Sequence, residues 1–389
     1  MARFLSLVFL VCGALHAETT LVLPFFNFSK SPNLDWIGES IAESVSDSLA
    51  SEGVLVLDRT NRLEAYRRLS VRPGAELTRA SILKIGESLD ASIVIYGSFA
   101  LNEPAVPQSK GSVRIEARII DLKRIHQGPL FSETGALEDL ASLEVHLGWQ
   151  ALESLHPKKA PPEHQFLAAR PPVRIDAVES YVRGLLATSP EQRHRFFTQA
   201  ARLDEHYSQP CFQLGKIYWE RKEYKIAAGW FQRVSRSDPH YLESRFFLGL
   251  SQYSSGDFAA AEAAFQLVAS AMPLNEVYNN LGAAQDRRNN SAAAVANFQK
   301  ALEGDSADPD YHFNLGYAQL RLGQYAAAVE SFRAALARNP NDTEATSLLG
   351  RALKEEAPRP GDPKLDGRER VKTNYDEAAY RQLQAELAK

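Results

Sequence analysis

The side chains of this chain that could do acid–base, metal or nucleophilic chemistry are scattered along it rather than grouped. A zinc site on one helix face needs two histidines four positions apart, and the histidines of the C-terminal half lack that spacing. The chain contains neither a GxSxG nor an HExxH pattern. Acidic pairs such as Glu355 and Glu356 lie on polar helix faces, where solvation explains them. The sequence therefore predicts no catalytic residue, no metal site and no enzyme activity. The histidines concerned are His194, His206, His240 and His312.

Cofactor and nucleic-acid binding are also disfavoured. Residues 26–32, which follow the first predicted strand, contain no glycine that would let backbone amides close around a phosphate. The formal net charge is -4, from 44 basic and 48 acidic residues, and provides no basic face for nucleic acid. We therefore predict no cofactor and no nucleic-acid partner, which leaves protein binding as the main functional class.

The first residues are typical of a secretory signal peptide. Arg3 precedes an apolar run over residues 4–11 and a stretch of small residues that ends at Ala17, which predicts cleavage after Ala17. The run is shorter than the ~20 apolar residues that span a bilayer. This predicts a periplasmic location, with or without association with the outer membrane, and no transmembrane segment in the mature chain. An uncleaved anchor and a lipoprotein acylated at Cys12 are the alternatives.

Proline-rich breaks divide the 389 residues. Five prolines in residues 156–172 predict a linker, because proline continues neither a helix nor a sheet ladder. A second break over residues 358–367 precedes a predicted C-terminal helix, so that residues 357–389 form a linker and a helix. That helix would begin at the pair Asn374 and Glu377 and carry one apolar stripe. The stripe consists of Tyr380, Leu383 and Leu387.

The segment between these breaks repeats itself. Its glycines are spaced 34, 33, 34 and 34 residues apart, and a leucine precedes each of them. A helical hairpin of this length cannot bury its apolar face alone, whereas stacked copies share one core. A second column holds residues suited to a left-handed turn between the two helices, with lysine as the costly exception. The glycines are Gly215, Gly249, Gly282, Gly316 and Gly350, and the turn column is Lys222, Gly256, Asn289 and Gly323.

Each repeating column is expected to have its own packing role. The Leu-Gly pair lets two helices approach closely, and an alanine column accepts the facing helix. A phenylalanine column is expected to fill the gap to the next repeat. The phenylalanines are Phe197, Phe231, Phe265, Phe298 and Phe332.

This pattern resembles the tetratricopeptide repeat. The resemblance is clearest in the segments YHFNLGY (residues 311–317), YAAAV (325–329) and FRAAL (332–336), and it covers roughly residues 173–356. It implies an all-α superhelix of about five helical hairpins plus a capping helix. The predicted units are 174–207, 208–241, 242–274, 275–308 and 309–342, with a cap at 343–356.

Residues 18–155 do not repeat and predict an α/β domain, a small mixed sheet with helices. Strands are predicted at residues 20–26, 54–57 and 93–99, with helices at 62–69, 78–89 and 137–155. A further strand alternates apolar residues from Val113 to Ile119 with charged ones. The segments LVLPF (21–25), LDWIG (34–38), VLDR (56–59) and IYGSF (95–99) resemble the TolB amino-terminal domain type, to which domains of the CsgG and FlgT envelope families are related. This resemblance implies a role in envelope assembly.

The tetratricopeptide resemblance also implies that the first helix of each repeat lines a concave groove. Aromatic residues are over-represented at the implied inward positions, and exposed aromatic patches usually mark binding surfaces. Asn280 and Asn314 could hydrogen-bond an extended peptide. The inward positions are Phe212, Lys216, Trp219, Phe246, Leu250, Tyr253, Asn279, Ala283, Asp286, Phe313, Tyr317 and Leu320. The predicted partner-binding residues are Phe212, Lys216, Trp219, Phe246, Tyr253, Asn279, Asn280, Phe313, Asn314 and Tyr317.

These observations predict a periplasmic scaffold or adaptor of the bacterial cell envelope. Its α/β domain would dock on one envelope component, while the groove would stay free to hold a peptide or helix of another. An accessory subunit of an outer-membrane secretion or transport assembly is the alternative, and a hydrolase with a concealed site is a third hypothesis. Whether the C-terminal helix caps the array or fills the groove remains open at this stage, as does the oligomeric state.

Overall fold

The computed structural model describes residues 18–29, 31–102, 111–358, 368–376, 379–380 and 383. The predicted signal peptide lies outside the described residues, and so do Glu377 and Leu387 of the predicted C-terminal helix. Tyr380 and Leu383 of the same stripe are helical. Within the described ranges, no helix combines the length and apolar character needed to cross a membrane.

The N-terminal part is a mixed sheet with helices, as predicted. Its described strands lie in the order β3-β1-β4-β5-β6, and the short β2 pairs with β4. β1 pairs in parallel with β3 and β4, whereas β4, β5 and β6 are antiparallel. The strands are β1 (Thr19–Val22), β2 (Phe26–Asn27), β3 (Leu55–Leu57), β4 (Ile93–Asn102), β5 (Ser112–Asp121) and β6 (His126–Ala136). The helices are α1 (Asp35–Ala50), α2 (Arg59–Arg68), α3 (Arg79–Ser88) and α4 (Leu140–Leu155).

Successive apolar side chains of the strands point to opposite faces of this sheet, so both faces carry an apolar core. Val22 and Ile95 pack in one apolar core with α1 and α4, whereas Leu21 and Val94 pack in another with α2 and α3. The strand predicted between Val113 and Ile119 is confirmed, since its alternating apolar residues are buried. The sheet is therefore covered by helices on both sides.

Strand β6 was not predicted from the sequence. Gly128, Pro129 and Gly135 lie within it, and these residue types are rare in strands. β6 is at the edge of the sheet, where it pairs only with β5, and an edge strand tolerates proline. Pairing with the neighbouring strand β5 has therefore overridden weak local propensity.

The predicted linker over residues 156–172 contains a short helix, α5 (Glu163–Ala168). Phe166 of this helix is buried, and the guanidinium of Arg170 lies 3.7 Å from its ring centroid. Arg170 also forms a 2.6 Å ion pair with Glu52 at the end of α1. These contacts hold the linker residues against the α/β part of the chain.

The C-terminal part is a run of helical hairpins, as predicted. Each hairpin pairs consecutive helices, and the last helix stands at the end of the described run. The helices are α6 (Ile175–Leu186), α7 (Pro190–Leu203), α8 (Gln209–Glu220), α9 (Tyr224–Gln232), α10 (Tyr241–Ser254), α11 (Phe258–Ala271), α12 (Asn275–Arg287), α13 (Ser291–Gly304), α14 (Pro309–Arg321), α15 (Tyr325–Arg338) and α16 (Thr343–Leu353).

The glycine and phenylalanine columns meet inside each hairpin. A Cβ atom on Gly215 would lie 2.6 Å from the ring of Phe231, and one on Gly249 would lie 2.7 Å from the ring of Phe265. The phenylalanine therefore fills the gap within its own repeat, a contact that was not predicted from the sequence. Phe231 also stacks on Phe247 of the following repeat, with ring centroids 5.7 Å apart.

The predicted left-handed turn column is confirmed. Gly256 and Gly323 have φ values of 86° and 72°. Asn289 has a φ of 63° and Lys222 a φ of 60°. The Cβ atom of a lysine disfavours the left-handed backbone conformation. The turn between α8 and α9 therefore adopts it at a conformational cost of about 1–2 kcal/mol.

Candidate peptide-binding groove

The groove is the face formed by the first helices of the repeats, α8, α10, α12, α14 and α16. Residues 368–376 of the same chain, here called the tail segment, lie along it and bond to α12, α14 and α16. The expectation of a groove free for another macromolecule was therefore wrong for this state of the chain. The sequence left open whether the C-terminal helix caps the array or fills the groove. In the structure, the residues that precede this helix fill part of the groove.

Asparagine side chains hold the backbone of the tail segment. Asn280 donates to the carbonyl of Lys372 at 2.7 Å and accepts from the amide of Lys372 at 2.7 Å. Asn314 makes the same pair of bonds with Arg370, both at 2.8 Å. Asn279 adds a 2.8 Å bond to the carbonyl of Arg370 and accepts from Asn314 at 2.7 Å. All three asparagines are fully buried.

The side chain of Arg370 is held by three carboxylates and a ring. Its two terminal nitrogens bond the two oxygens of Asp342 at 2.6 and 3.0 Å, which is the fork geometry of a strong charge-assisted pair. Further bonds reach Asp310 at 3.1 Å and Glu344 at 3.3 Å. The guanidinium lies 3.6 Å from the ring centroid of Phe313, a cation–π contact.

Lys372 lies two residues further along and binds a second acidic pair. Its Nζ is 2.7 Å from Oδ2 of Asp308 and 2.7 Å from Oδ2 of Asp310. Arg368, two residues before Arg370, pairs with Glu344 at 3.0 Å. Cations on alternate residues of the tail segment therefore face a row of carboxylates on the repeats.

These contacts shift the pKa values of the groups involved. Burial by itself would raise the pKa of Asp342, but bonds from Arg370 and from the Ala345 amide lower it below its ordinary value. Burial would lower the pKa of Lys372, and the bonds to Asp308 and Asp310 raise it instead. These bonds therefore favour the charged forms of Asp342 and Lys372.

Glu369 lies in a different environment, turned into the repeat array. Its side chain is buried, and burial followed by the charge of Asp286 raises its pKa to about 8. Tyr253 of α10 donates to it at 3.4 Å, and Arg321 of α14 and Arg287 of α12 lie 3.6 and 4.0 Å away. Burial therefore raises the pKa of both Glu369 and Asp286, so that this pair holds a proton at a higher pH than an exposed carboxyl would.

The aromatic residues predicted as an exposed patch are largely covered. Phe246, Phe313 and Tyr317 are buried, and the ring of Tyr375 in the tail segment packs edge-on against Phe246 at 5.4 Å. Tyr253 is half-buried beside Glu369. Burial by the tail segment and the neighbouring helices explains why these rings do not form an open apolar surface.

The predicted site residues of α8 contact other parts of the repeats. Phe212 is buried and stacks on His240 with centroids 4.7 Å apart. Lys216 lies 4.1 Å from the ring centroid of Phe247 and 3.5 Å from Glu243. Trp219 is half-buried and packs against Phe247 at 6.0 Å. The predicted residues of α12 and α14 therefore lie together around the tail segment. Those of α8 take part in the packing of the first repeats instead.

The acidic residues of the groove were missed from the sequence. An acidic residue lies six positions before each of four glycines in the repeating column, so this acidic column could have been found in the sequence. Its members are Glu243, Glu276, Asp310 and Glu344. The alternate cations of the tail segment were a second signal. Among the described residues, no group of three or more His, Cys, Asp or Glu side chains is arranged to hold a metal ion.

Comparisons with known proteins found one family model and a set of similar solved structures. The tetratricopeptide repeat family model matches residues 212–276, 279–343 and 316–356. Similar solved structures include a MamA double mutant from RS-1, with 24% identity over 41% of this chain and 91% of that chain and a TM-score of 0.38. MamA 41-end from Desulfovibrio magneticus RS-1 has 23% identity over 41% and 92%, with a TM-score of 0.38.

YrrB, described as a TPR protein with an unusual peptide-binding site, has 19% identity over 41% of this chain and 84% of its own, with a TM-score of 0.36. No curated protein matches the chain. The family match coincides with helices that pack through the glycine and phenylalanine columns. The helical hairpins between residues 212 and 356 are therefore tetratricopeptide repeats.

Proposed function

We propose that this chain is a protein-binding scaffold of the bacterial cell envelope, without catalytic activity, and that its groove binds an extended peptide from a partner. One observation carries the proposal. Asn280 and Asn314 each engage both the amide and the carbonyl of one residue, and those two residues are two positions apart. This is the spacing of a strand-like segment. Because every peptide has these main-chain groups, the same clamps suit a segment of another protein.

Energetics supports an extended peptide over an apolar helix as the ligand. The three asparagines are fully buried, and a buried polar group without a partner costs about 1–3 kcal/mol. A helix satisfies its own main-chain groups and would leave the asparagine amides without partners. An extended strand has free amides and carbonyls to offer, so it fits these side chains better.

The experiment for the groove uses the full chain with Arg370→Ala and Lys372→Ala, which weakens the hold on the tail segment. A random dodecapeptide library displayed on phage is selected against this variant and against the same variant carrying Asn280→Ala and Asn314→Ala. We expect enrichment only when the asparagines are present. Thermal unfolding by circular dichroism checks that both variants are folded. Equal enrichment on the two variants, or none on either, would refute the proposed function of the groove.

The envelope location is proposed on the sequence of the first 17 residues. We expect the full precursor, expressed in a Gram-negative host, to appear in the periplasmic or envelope fraction with Glu18 as its first residue. Cell fractionation and N-terminal sequencing measure this. A precursor variant with Leu10→Arg, which interrupts the apolar run, should stay uncleaved in the cytoplasm. An uncleaved wild-type chain in the cytoplasm would contradict the proposed location.

For the α/β domain we propose docking on an envelope component. The support is the resemblance of residues 21–25, 34–38, 56–59 and 95–99 to the TolB amino-terminal domain type. A photo-reactive amino acid at Phe28, which is 53% exposed beside the sheet, would test it in envelope preparations. We expect one cross-linked species of defined mass. The same label at Leu353, an exposed residue of α16, serves as the control and should not give that species.

A further inference from the structure

The tail segment presents a regular pattern of charge to the groove. Arg370 and Lys372 are two residues apart, and alternate side chains of an extended strand point to the same side. On that side lie four carboxylates that bond these two cations. They belong to Asp308, Asp310, Asp342 and Glu344, and thus to α14, α16 and the residues just before each helix.

The two cation positions differ in what they require. The Arg370 guanidinium uses both terminal nitrogens on Asp342 and lies 3.6 Å from the ring centroid of Phe313, a combination that a lysine ammonium cannot reproduce. Lys372 is bound as a point charge between Asp308 and Asp310, where either basic residue would serve. The first position therefore favours arginine, and the second accepts lysine or arginine.

An uncharged strand would leave these carboxylates uncompensated. Asp342 is buried, and Asp308 and Asp310 both lie 2.7 Å from the same ammonium group. Like charges so close together repel one another, and the repulsion is relieved only by a cation among them. The groove at α14 and α16 thus recognises side chains as well as main chain.

We infer that the groove selects extended peptides with the pattern Arg-x-Lys or Arg-x-Arg, and that the tail segment is a built-in competitor that occupies the groove until such a peptide displaces it. The inference rests on the proposed function and specifies which peptides the groove binds. The peptide that displaces the tail segment is a segment of a partner protein. The tail segment of a second copy of this chain is an outcome to be tested.

Competition follows from the connection between the tail segment and the array. Nine residues, 359–367, separate the last described residue after α16 from the tail segment. A ligand joined through a short connection has an effective concentration on the order of millimolar. A free peptide with the same contacts is therefore excluded unless the tail segment is weakened, or unless the peptide makes further contacts.

The test uses a fluorescein-labelled synthetic peptide with the sequence of residues 368–376, RERVKTNYD. It is titrated by fluorescence anisotropy into the full wild-type chain and into the full chain carrying Arg370→Ala and Lys372→Ala. We expect at least tenfold tighter binding to the variant. A control variant, Arg333→Ala with Lys354→Ala, removes the same charge from exposed positions of the repeats and should bind as the wild type does.

A second peptide, in which glutamine replaces the residues equivalent to Arg370 and Lys372, tests the charge pattern. We expect at least a tenfold loss of affinity for the tail-weakened variant, and an affinity of the native peptide that falls as salt rises. Equal binding of the two peptides would overturn the charge pattern. Equal binding of the native peptide to wild type and variant would overturn the competition.

The outcomes separate this inference from the proposed function. If the phage library yields asparagine-dependent peptides without the cation pattern, the inference fails and the proposed function stands. If the library yields nothing, the proposed function fails. Light scattering tests whether the tail segment of a second copy occupies the groove. A wild-type dimer that is lost in the Arg370→Ala and Lys372→Ala variant would overturn intramolecular competition. A wild-type monomer would support it.

Discussion

The groove has two chemically different ends built on one framework. The aromatic end comprises repeats 208–241 and 242–274, and the asparagine end comprises repeats 275–308 and 309–342. The position just before each Leu-Gly pair is Gln213 and Phe247 at the aromatic end, and Asn280 and Asn314 at the asparagine end. The columns that pack the helices are the same at both ends. Packing and binding therefore use different columns, and the binding columns can vary while the fold stays constant.

The two ends also neutralise their acidic column differently. At the aromatic end, Glu243 pairs with Lys216 of the neighbouring repeat at 3.5 Å. At the asparagine end, Asp310 pairs with Arg370 of the tail segment, and Glu344 of the capping unit 343–356 pairs with the same arginine. The first arrangement is complete within the repeats, whereas the second needs a ligand. This difference explains why the asparagine end is where a basic strand is held.

The largest effect is expected for the shared framework. Gly215→Ala forces a Cβ to 2.6 Å from the ring of Phe231, so we expect the free energy of unfolding to fall by about 3 kcal/mol. Gly316→Ala should cost less, because its Cβ would be 3.0 Å from Phe332. The control Gly229→Ala lies on an exposed helical site with open space and should stabilise the chain by about 0.5–1 kcal/mol. Urea unfolding measures all three. Stabilisation by Gly215→Ala would show that the close helix approach is absent.

The next effect distinguishes the ends. Asn280→Ala removes both bonds to the backbone of Lys372, so we expect docking of the tail segment to weaken by about 2 kcal/mol, or roughly 30-fold. Trypsin cleavage after Lys372, followed by mass spectrometry, measures the released fraction. Gln213→Ala changes the same column at the aromatic end and should leave this cleavage at the wild-type rate. Equal cleavage of the two variants would contradict the assignment of the clamp to the asparagine end.

The smallest effect concerns protonation at the asparagine end. The docked Glu369 carboxyl has a pKa of about 8, above its ordinary 4.5, so docking takes up a proton between these values. For Glu369 the docked state binds more protons, so the contribution of this carboxyl to docking is greatest below about pH 4.5 and is lost as the pH rises to about 8.

We therefore expect the labelled peptide to bind the tail-weakened variant at least tenfold less tightly at pH 8 than at pH 5.5. A peptide with Glu369→Gln mimics the protonated carboxyl and should show a flat profile over this range. Fluorescence anisotropy at constant ionic strength measures both. Parallel pH profiles for the two peptides would assign the dependence to another group.

Local patterns determined much of this protein from the sequence alone. The spacing of Gly215, Gly249 and Gly282 predicted stacked helical hairpins, because only a repeated close contact requires glycine at a fixed period. The turn column predicted left-handed residues, and Lys222 and Asn289 adopt that conformation. Asn280 and Asn314 were identified as candidates to bond an extended peptide.

Tertiary structure alone decided what those asparagines hold. Lys372 is 92 residues from Asn280 in the chain, and the pattern within each of the two segments does not say that they meet. Strand β6 was missed for a different reason, since pairing with the neighbouring strand β5 outweighs its own propensity. Periodic patterns record packing between neighbours in the chain, whereas the burial of Glu369 and the charge pairing of Arg370 arise only when distant segments meet.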